Sequence, residues 1–272
     1  MPGSATPLPP APTRFQKGIK DLRAGLGNPQ RWMVLGWHDF MLQHRRTIIG
    51  PFWQSIQIAV WVVGLTAIFG REMEDNIFKY MVYVSAGVVL WNFITSAVAG
   101  SSGVFLGNSG LIKGLNLPLS LHPLRFIFKH LARITFQLPV LFIVLPFGGN
   151  IWGPQLLWLI PALFLFVFTG LWVTLLLAIL GARFRDLPLL IKTVMRFLFF
   201  ASPVFWVPTE GIRMTLALIN PFAHFMAIVR EPLLGHAPTL LNWVVVLGIS
   251  LPGSIASIVL FIRYRRSIVF WV

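Results

Sequence analysis

The stretch Arg183-Phe184-Arg185-Asp186-Leu187-Pro188 opens the segment that decides the fold. An apolar run, Leu189–Val207, follows it and is close to the ~20 residues that cross a bilayer core as a helix. The next segment, Pro208–Pro238, is too polar to span a membrane and too apolar for a solvated loop. This composition predicts a hairpin of two short helices that dips part-way into the bilayer. Because irregular backbone at membrane depth persists only against protein or a water-filled cavity, the hairpin indicates a lined passage.

The composition of the whole chain indicates an integral membrane protein. Of its 272 residues, 56% are hydrophobic and 11% are charged, whereas soluble domains carry about 25% charged residues. The 22 basic and 8 acidic residues give a net charge of +14. The basic residues cluster at the ends of apolar runs, where they would face anionic headgroups, so this charge favours membrane lipids over nucleic acid as a partner. Cysteine is absent, which excludes disulfides and thiolate metal sites.

Two segments precede the first apolar run. Met1–Thr13 is rich in proline and is predicted to be a disordered tail. Arg14–Leu26 places its apolar residues on one helical face, which predicts a basic amphipathic helix on the membrane surface. We therefore divide the chain into residues 1–30, the tail with this basic segment, and residues 31–272, a single transmembrane domain. A second amphipathic stretch, Arg31–Arg46, begins that domain.

Six apolar runs are long enough to span a bilayer, so the predicted fold is an all-α integral membrane protein with six transmembrane helices. The runs are Phe52–Gly70, Met81–Leu106, Phe126–Phe147, Leu156–Ala182, Leu189–Val207 and Leu240–Ile262. An N-terminal amphipathic interface helix precedes them, and the re-entrant outer hairpin lies before the last one.

The distribution of basic residues predicts the orientation of the chain. They concentrate in the N-terminal region, the second and fourth connections and the C-terminus, so both termini are predicted to be cytoplasmic. The opposite side holds few basic residues, and its first loop is acidic. The basic residues on that side are Arg71, Lys79, Arg213 and Arg230, and the acidic residues of the first outer loop are Glu72, Glu74 and Asp75.

The longest predicted cytoplasmic loop is Gly107–His122. Glycine and proline interrupt it and leave one short helix around Ser109–Asn116. Such a helix is either a docking surface for a soluble partner or an ordinary surface loop, and the residues alone leave both alternatives open.

The chain lacks the motifs with which it would power transport itself. It contains no Gly-x-x-x-x-Gly-Lys-Ser/Thr phosphate-binding loop and no spaced set of metal ligands. No acidic residue lies in the middle of an apolar run, which argues against a proton-coupled carrier. The chain is therefore predicted not to be an enzyme, and the energy for transport is expected from a separate ATPase.

Some polar and aromatic residues inside the runs allow two interpretations. Lys192 and Arg196 lie one turn apart in the fifth run. Either both side chains extend to the membrane surface, or they face a wet vestibule and meet an anionic headgroup or pyrophosphate. Trp61, Trp91 and Trp172 fall inside runs; lipid contact or core packing is the favoured reading for each, and a channel wall on which sugars stack is the alternative.

Several motifs occur in a fixed order along the chain. They are Arg45-Arg46-Thr47-Ile48-Ile49-Gly50-Pro51-Phe52-Trp53, Phe69-Gly70, Gly87 with Trp91-Asn92-Phe93, Asn108 through Lys113 with Pro118, Arg185-Asp186-Leu187, Ser202-Pro203-Val204-Phe205-Trp206, and Asn220-Pro221 with Arg230. In this order, the chain from Arg31 onward resembles the membrane subunit of type-2 ABC exporters for polysaccharides and polyol phosphates, nearest the O-antigen (lipopolysaccharide) export permeases. It departs from the family pattern at Gln57, near a place often held by proline, and at Pro118, which follows leucine where an aromatic residue often stands.

The resemblance implies an assembly, a substrate and a location. Two copies of the chain would form a channel above two copies of a nucleotide-binding subunit, which would bind ATP and Mg; this chain itself needs no cofactor or metal. The substrate would be a lipid-linked glycan of the O-antigen type, and the location the bacterial inner membrane. Alternatives are a teichoic acid, capsule or small-amphiphile exporter on the same fold, and a membrane scaffold with no passage.

The resemblance also implies three groups of site residues. The ATPase-coupling residues would be Trp37, Phe40, His44, Ser109, Leu111, Ile112, Lys113 and Pro118. The substrate channel would use Trp61, Phe69, Trp91, Lys192, Arg196, Phe199 and Phe205. The outer gate would use Pro203, Trp206, Asn220, Pro221 and Arg230.

Overall fold

The computed structural model of the chain describes residues 13–70, 76–148 and 153–272. Residues 1–12 of the predicted tail lie outside this description, as do Arg71, Glu72, Glu74 and Asp75 of the predicted first outer loop. Within the described ranges every regular element is helical, as the composition predicts.

The chain begins with two helices, α1 (Arg14–Leu26) and α2 (Pro29–His44). Thr13 starts α1 with a reciprocal cap, because its side chain accepts a hydrogen bond from the Gln16 amide while the Gln16 side chain accepts one from the Thr13 amide. The face of α1 around Asp21 is buried against the rest of the protein. Phe15 and Leu26, at the two ends of its apolar face, remain exposed, whereas Ile19 and Leu22 between them are half-buried. This division leaves the apolar face available to a membrane surface.

Five helical segments are long and apolar enough to cross a membrane, and they correspond to five of the six predicted runs. They are Gly50–Phe69, Ile77–Gly107, Leu121–Phe147, Pro154–Arg183 and Leu240–Trp271. Within them lie α3 (Trp53–Phe69), α4 (Ile77–Thr95), α5 (Val104–Gly107), α7 (Leu121–Thr135), α8 (Leu138–Val144), α9 (Leu159–Arg183) and α13 (Leu240–Trp271). The predicted short helix between the second and third segments is α6 (Ser109–Gly114).

The predicted span Leu189–Val207 is wrong at its C-terminal end. Its helix, α10, runs over Leu187–Ala201 and is 15 residues long, which is about 22 Å at helical rise and shorter than a ~30 Å hydrocarbon core. Ser202 is already extended, with φ −104° and ψ 146°. Pro203 explains this end, because a proline disfavours helical backbone in the residue before it.

The predicted hairpin is present as α11 (Ile212–Ile219) and α12 (Pro221–Leu233). The two helices are bent by 92° at their break. Asn220 lies at that break and caps α12, because its side chain accepts a hydrogen bond from the Phe222 amide. Gly211, with φ 61°, starts α11 in a backbone conformation that favours glycine.

The core is built around α4, the most buried of the long helices. The helix is flanked by α3, α8 and α12, and most of its side chains from Tyr80 to Ile94 are inaccessible. By contrast, α3 and α10 pack by one stripe each and leave broad apolar faces uncovered. The molecule therefore has one buried helix at its centre and partly uncovered helices beside it.

Candidate functional site

The segment that follows α10 is fastened to the start of α4. The Tyr83 hydroxyl lies 2.9 Å from the Trp206 carbonyl oxygen and 3.2 Å from the Pro203 carbonyl oxygen, and its one proton is shared between these two acceptors. The Tyr80 hydroxyl donates to the Phe205 carbonyl. These bonds supply partners for backbone carbonyls of a buried non-helical segment, which has no helical donors of its own. The non-helical residues 202–207 are therefore held in a defined position by these hydrogen bonds. We call them the pinned segment.

Two residues of the hairpin hold the same segment from the other side. Arg230 is 2% exposed, donates to the Pro203 carbonyl at 2.6 Å and lies over the Tyr83 ring at 3.7 Å. The Asn220 side-chain amide donates to the Ala201 carbonyl at 3.1 Å and the Ser202 hydroxyl at 2.8 Å. Among the described residues, Arg230 has no acidic partner. The positive charge of Arg230 is therefore stabilised by the Pro203 carbonyl and the Tyr83 ring. A buried cation thus helps to hold the pinned segment in place.

All five predicted gate residues lie at or beside the pinned segment. Pro203 and Trp206 belong to it, and the Trp206 indole donates to the Phe200 carbonyl at 2.9 Å. Asn220 and Arg230 hold it, and Pro221 begins the helix that carries Arg230. The structure brings these residues together; that they open and close a passage stays a prediction.

Five predicted channel residues form one aromatic cluster. The Phe199 ring lies 6.1 Å from Trp61 and 5.9 Å from Trp91, and the Phe205 ring lies 5.5 Å from Phe199 and 5.2 Å from Phe69. Trp91 is 5% exposed, which agrees with the core-packing reading for that residue, whereas Trp61 is 52% exposed at the edge of the cluster. Only the outer edge of the cluster can therefore face a passage in this conformation.

The two remaining channel predictions lie on α10, the helix that also carries Phe199 of the aromatic cluster. Lys192 and Arg196 are both exposed, and Met195 is the buried residue of this helix. The neighbouring uncovered side chains of α10 and α3 are mainly apolar. They include Leu189, Leu190, Val194, Phe197 and Phe200 on α10, and Val60, Trp61 and Val63 on α3. We call this surface the α3–α10 face.

The predicted coupling residues of α2 differ in exposure. Trp37 is exposed, whereas Phe40 is fully buried and His44 is buried beside it. Phe40 stacks on Phe136 at 5.3 Å between ring centroids, and the His44 ring bonds to the Phe40 carbonyl at 2.8 Å. Of these three residues, only Trp37 can contact another subunit directly in this conformation, and the other two lie beneath it as support.

The coupling residues after α5 lie on or near α6. Lys113 is exposed, while Ser109, Leu111, Ile112 and Pro118 are half-buried. Their burial leaves part of each side chain accessible at one end of the molecule, and their contact with an ATPase stays a prediction.

Comparison with known proteins identifies the family. The family described as "ABC-2 type transporter" matches residues 30–234, about three quarters of the chain. The chain belongs to this family. An ABC-2 permease is a multi-pass membrane subunit of an ABC transporter, and the family implies a separate nucleotide-binding subunit as its partner.

Curated relatives agree with the resemblance that the motifs predict. The permease is 23% identical over 193 residues to the "O-antigen export system permease protein RfbA" of Myxococcus xanthus, which covers 69% of this chain and 74% of that protein. It is 22% identical over 174 residues to a protein of the same name from Klebsiella pneumoniae, which covers 62% of this chain and 65% of that protein. The predicted membership of the type-2 ABC exporter permeases is confirmed.

Sequence reasoning overlooked Asp21, which joins three parts of the permease. Its buried carboxylate accepts hydrogen bonds from the Leu119 amide at 3.2 Å, the Ser120 amide at 3.0 Å and the Arg265 side chain at 2.6 Å. These contacts link α1 to the last turns of α13 and to the end of the segment that contains α6 (residues 107–120), which we call the α6 loop. One signal was available: Asp21 is the only acidic residue of α1, and Gly18 and Gly25 flank it at helical spacing.

A second contact of the permease holds α2 against α7. Asp39 accepts two hydrogen bonds from the Arg125 guanidinium, each at 2.5 Å, and both side chains are mostly buried. Gly36 lets the two helices approach closely, because a Cβ there would meet the Arg125 carbonyl at 2.8 Å. The helix that carries Trp37, α2, is thus fixed to α7, the first half of the segment Leu121–Phe147.

Proposed function

We propose that this ABC-2 permease is the transmembrane subunit of an ATP-driven exporter of lipid-linked polysaccharide of the O-antigen type. Two copies enclose the passage, and two copies of a nucleotide-binding subunit with ATP and Mg drive it. Residues 31–272 act as one transmembrane domain in the bacterial inner membrane, with both termini cytoplasmic. The names of the curated relatives support the choice of substrate.

The observation that carries the proposal is the α3–α10 face. It exposes aromatic and aliphatic side chains together with two cations, Lys192 and Arg196. A cation at membrane depth is costly unless it meets water or an anion. A passage between two such faces would let both water and the pyrophosphate group of the carrier lipid reach Lys192 and Arg196. Sugar rings then stack on the exposed Trp61 as the glycan passes.

The two ends of the permease suit different tasks. At one end, Asp21 ties α1 to the α6 loop and to the last turns of α13, so the first and last described helices meet there. This contact supports the proposed orientation, in which the coupling loop and both termini share the cytoplasmic side. The pinned segment and the hairpin lie beside the first turns of α4, at its other end. Movement of the coupling loop can therefore be transmitted through the long segment Ile77–Gly107, which begins beside the gate and ends at the loop.

The proposal is tested by coexpressing the permease with its ATPase in a strain that makes the glycan. Leu111→Asp and Pro118→Ala change the α6 loop, and we expect both to reduce ATP hydrolysis by the complex and glycan at the cell surface by tenfold or more. Leu240→Asp changes an exposed leucine at the start of α13 and serves as the control that keeps both activities. Normal hydrolysis and normal surface glycan in both loop variants would contradict the coupling assignment. If the complex with the unchanged permease hydrolyses ATP normally but the strain shows the same surface glycan with and without the permease, the proposed substrate is wrong.

A further inference from the structure

The second long segment exposes polar side chains on one side near its middle. Every residue of α4 from Val82 to Ile94 is buried except Asn92, which is half-buried. Ser96 lies one turn further along the same side of the segment and is half-buried as well. The buried side chains around them are mainly apolar. An otherwise covered segment therefore leaves an amide and a hydroxyl accessible.

Asn92 lies at membrane depth without a partner in the protein. It is 15 residues from each end of the segment Ile77–Gly107, which places it close to the centre of a bilayer that this segment spans. Within the described ranges, neither the Asn92 amide nor the Ser96 hydroxyl forms a hydrogen bond through its side chain. A polar group without a partner is unfavourable in hydrocarbon. These two side chains therefore require water or a polar ligand.

The two helices of the α3–α10 face flank these polar residues. The Phe199 ring of α10 lies 5.9 Å from the ring of Trp91, the residue before Asn92, and 6.1 Å from the ring of Trp61 on α3. In addition, α10 packs on the π-helical turn Ser96–Gly100 that follows α4. Asn92 and Ser96 therefore lie at the base of the α3–α10 face.

A second amide without a partner lies on α3. Gln57 is exposed, and it precedes the exposed Trp61 by one turn on the same side of the helix. Among the residues that the structure describes, its side chain has no hydrogen-bond partner. Gln57 comes seven residues after Gly50, where this segment begins, which is about 10 Å along the span at helical rise. Contact with lipid would leave this amide unpaired too, so this side of α3 also requires a polar environment.

The chemistry of these groups suits the hydroxyl groups of a sugar. Amides and hydroxyls both donate and accept hydrogen bonds, as sugar hydroxyls do. A phosphate would instead favour the cations Lys192 and Arg196, because charge-assisted hydrogen bonds are stronger. Hydrogen bonds between neutral groups are also weak enough to be exchanged from one sugar to the next, which a conducting passage requires of its binding sites. A neutral, polyhydroxylated chain is therefore the ligand that fits.

We propose that Gln57, Asn92 and Ser96, which we call the polar track, line the passage and exchange hydrogen bonds with the hydroxyl groups of the glycan. This inference rests on the proposed export function and adds a set of ligand contacts to it. Trp61 offers an aromatic face to the sugar rings, and the polar track offers donors and acceptors to their hydroxyls. Water satisfies the same side chains when no glycan is present.

The first test measures whether the polar track meets water. Single cysteines are introduced into the cysteine-free permease, which is coexpressed with its ATPase. A small, charged methanethiosulfonate reagent is then added to the membranes with and without ATP. The thiolate is the reactive form, and an apolar surrounding suppresses it. We expect Gln57→Cys and Asn92→Cys to react at least tenfold faster than Ile255→Cys. Ile255 is the matched control, because it is exposed and lies 15 residues after Leu240, near the middle of α13.

The second test measures the contact with the glycan. We expect Asn92→Leu to lower glycan at the cell surface at least fivefold, because leucine has a similar size but offers no hydrogen bond. ATP hydrolysis by the complex, measured without glycan, should stay within twofold, since the α6 loop is unchanged. Asn92→Gln keeps an amide and should retain export. Gln57→Leu is the second variant if Asn92→Leu does not fold, because Gln57 is exposed.

Three results would overturn the polar track. The first is reaction of Gln57→Cys and Asn92→Cys as slowly as Ile255→Cys, both with and without ATP. The second is normal surface glycan in both leucine variants. The third is a disulfide-linked dimer of Asn92→Cys, because this amide would then pair with a second copy. The export function fails separately: if surface glycan is the same with and without the permease, the substrate is wrong, while fast labelling would still support a water-filled track.

Discussion

At the residue scale, Gly87 decides how closely the pinned segment approaches α4. A Cβ at this position would lie 2.4 Å from the Val204 carbonyl oxygen, so alanine forces the backbone of the segment away. We expect Gly87→Ala to lower the free energy of unfolding by about 1–3 kcal/mol, as overpacking of a well-packed core does. A lower melting temperature of the purified permease would show it.

The control for Gly87 is Gly64, which lies on the uncovered side of α3, where an added Cβ would meet no atom within 4 Å. Gly64→Ala should leave the melting temperature unchanged or raise it, because alanine favours a helix by up to ~1 kcal/mol over glycine. If both variants melt alike, the close contact between Gly87 and Val204 does not contribute to stability. The sequence motifs include Gly87, but they do not predict its contact with Val204, which is 117 residues away in the chain.

At the element scale, Asp21 fixes α1 against the α6 loop and α13. In Asp21→Asn, the side chain loses its charge and one acceptor oxygen, while the two amides and Arg265 still require partners. We expect a loss of about 1–3 kcal/mol and faster amide hydrogen exchange at Leu119 and Ser120. Asp186→Asn, a change of the same type at an exposed acid, should leave that exchange unchanged. Slow exchange in both variants would mean that α1 is held by packing alone.

The elements also show what the sequence could and could not predict. The five long segments and the hairpin follow from runs of apolar residues, whose length a bilayer dictates. The end of α10 does not, because residues 202–207 are as apolar as a span and only Pro203 signals the change. Their extended conformation depends on Tyr80, Tyr83 and Arg230, which are distant in sequence. Likewise, the burial of Phe40 depends on its contact with Phe136, which follows the end of α7.

At the scale of the whole molecule, the uncovered α3–α10 face requires a partner if two copies enclose a passage. The chain has no cysteine, so a single introduced cysteine reports contact between copies without background. We expect Val60→Cys, Val63→Cys or Phe197→Cys to give a cross-linked dimer with a bis-maleimide reagent in membranes, because such a reagent reaches across a passage that is too wide for a direct disulfide, which needs Cα atoms within about 7 Å. Ile255→Cys is the control, because its 65% exposure matches the 67% of Val60 but its helix, α13, lies outside the proposed interface. If only Ile255→Cys cross-links, the second copy contacts α13 and not the α3–α10 face. Lys192 and Arg196 would then face lipid, and the proposed passage between the α3–α10 faces would be wrong.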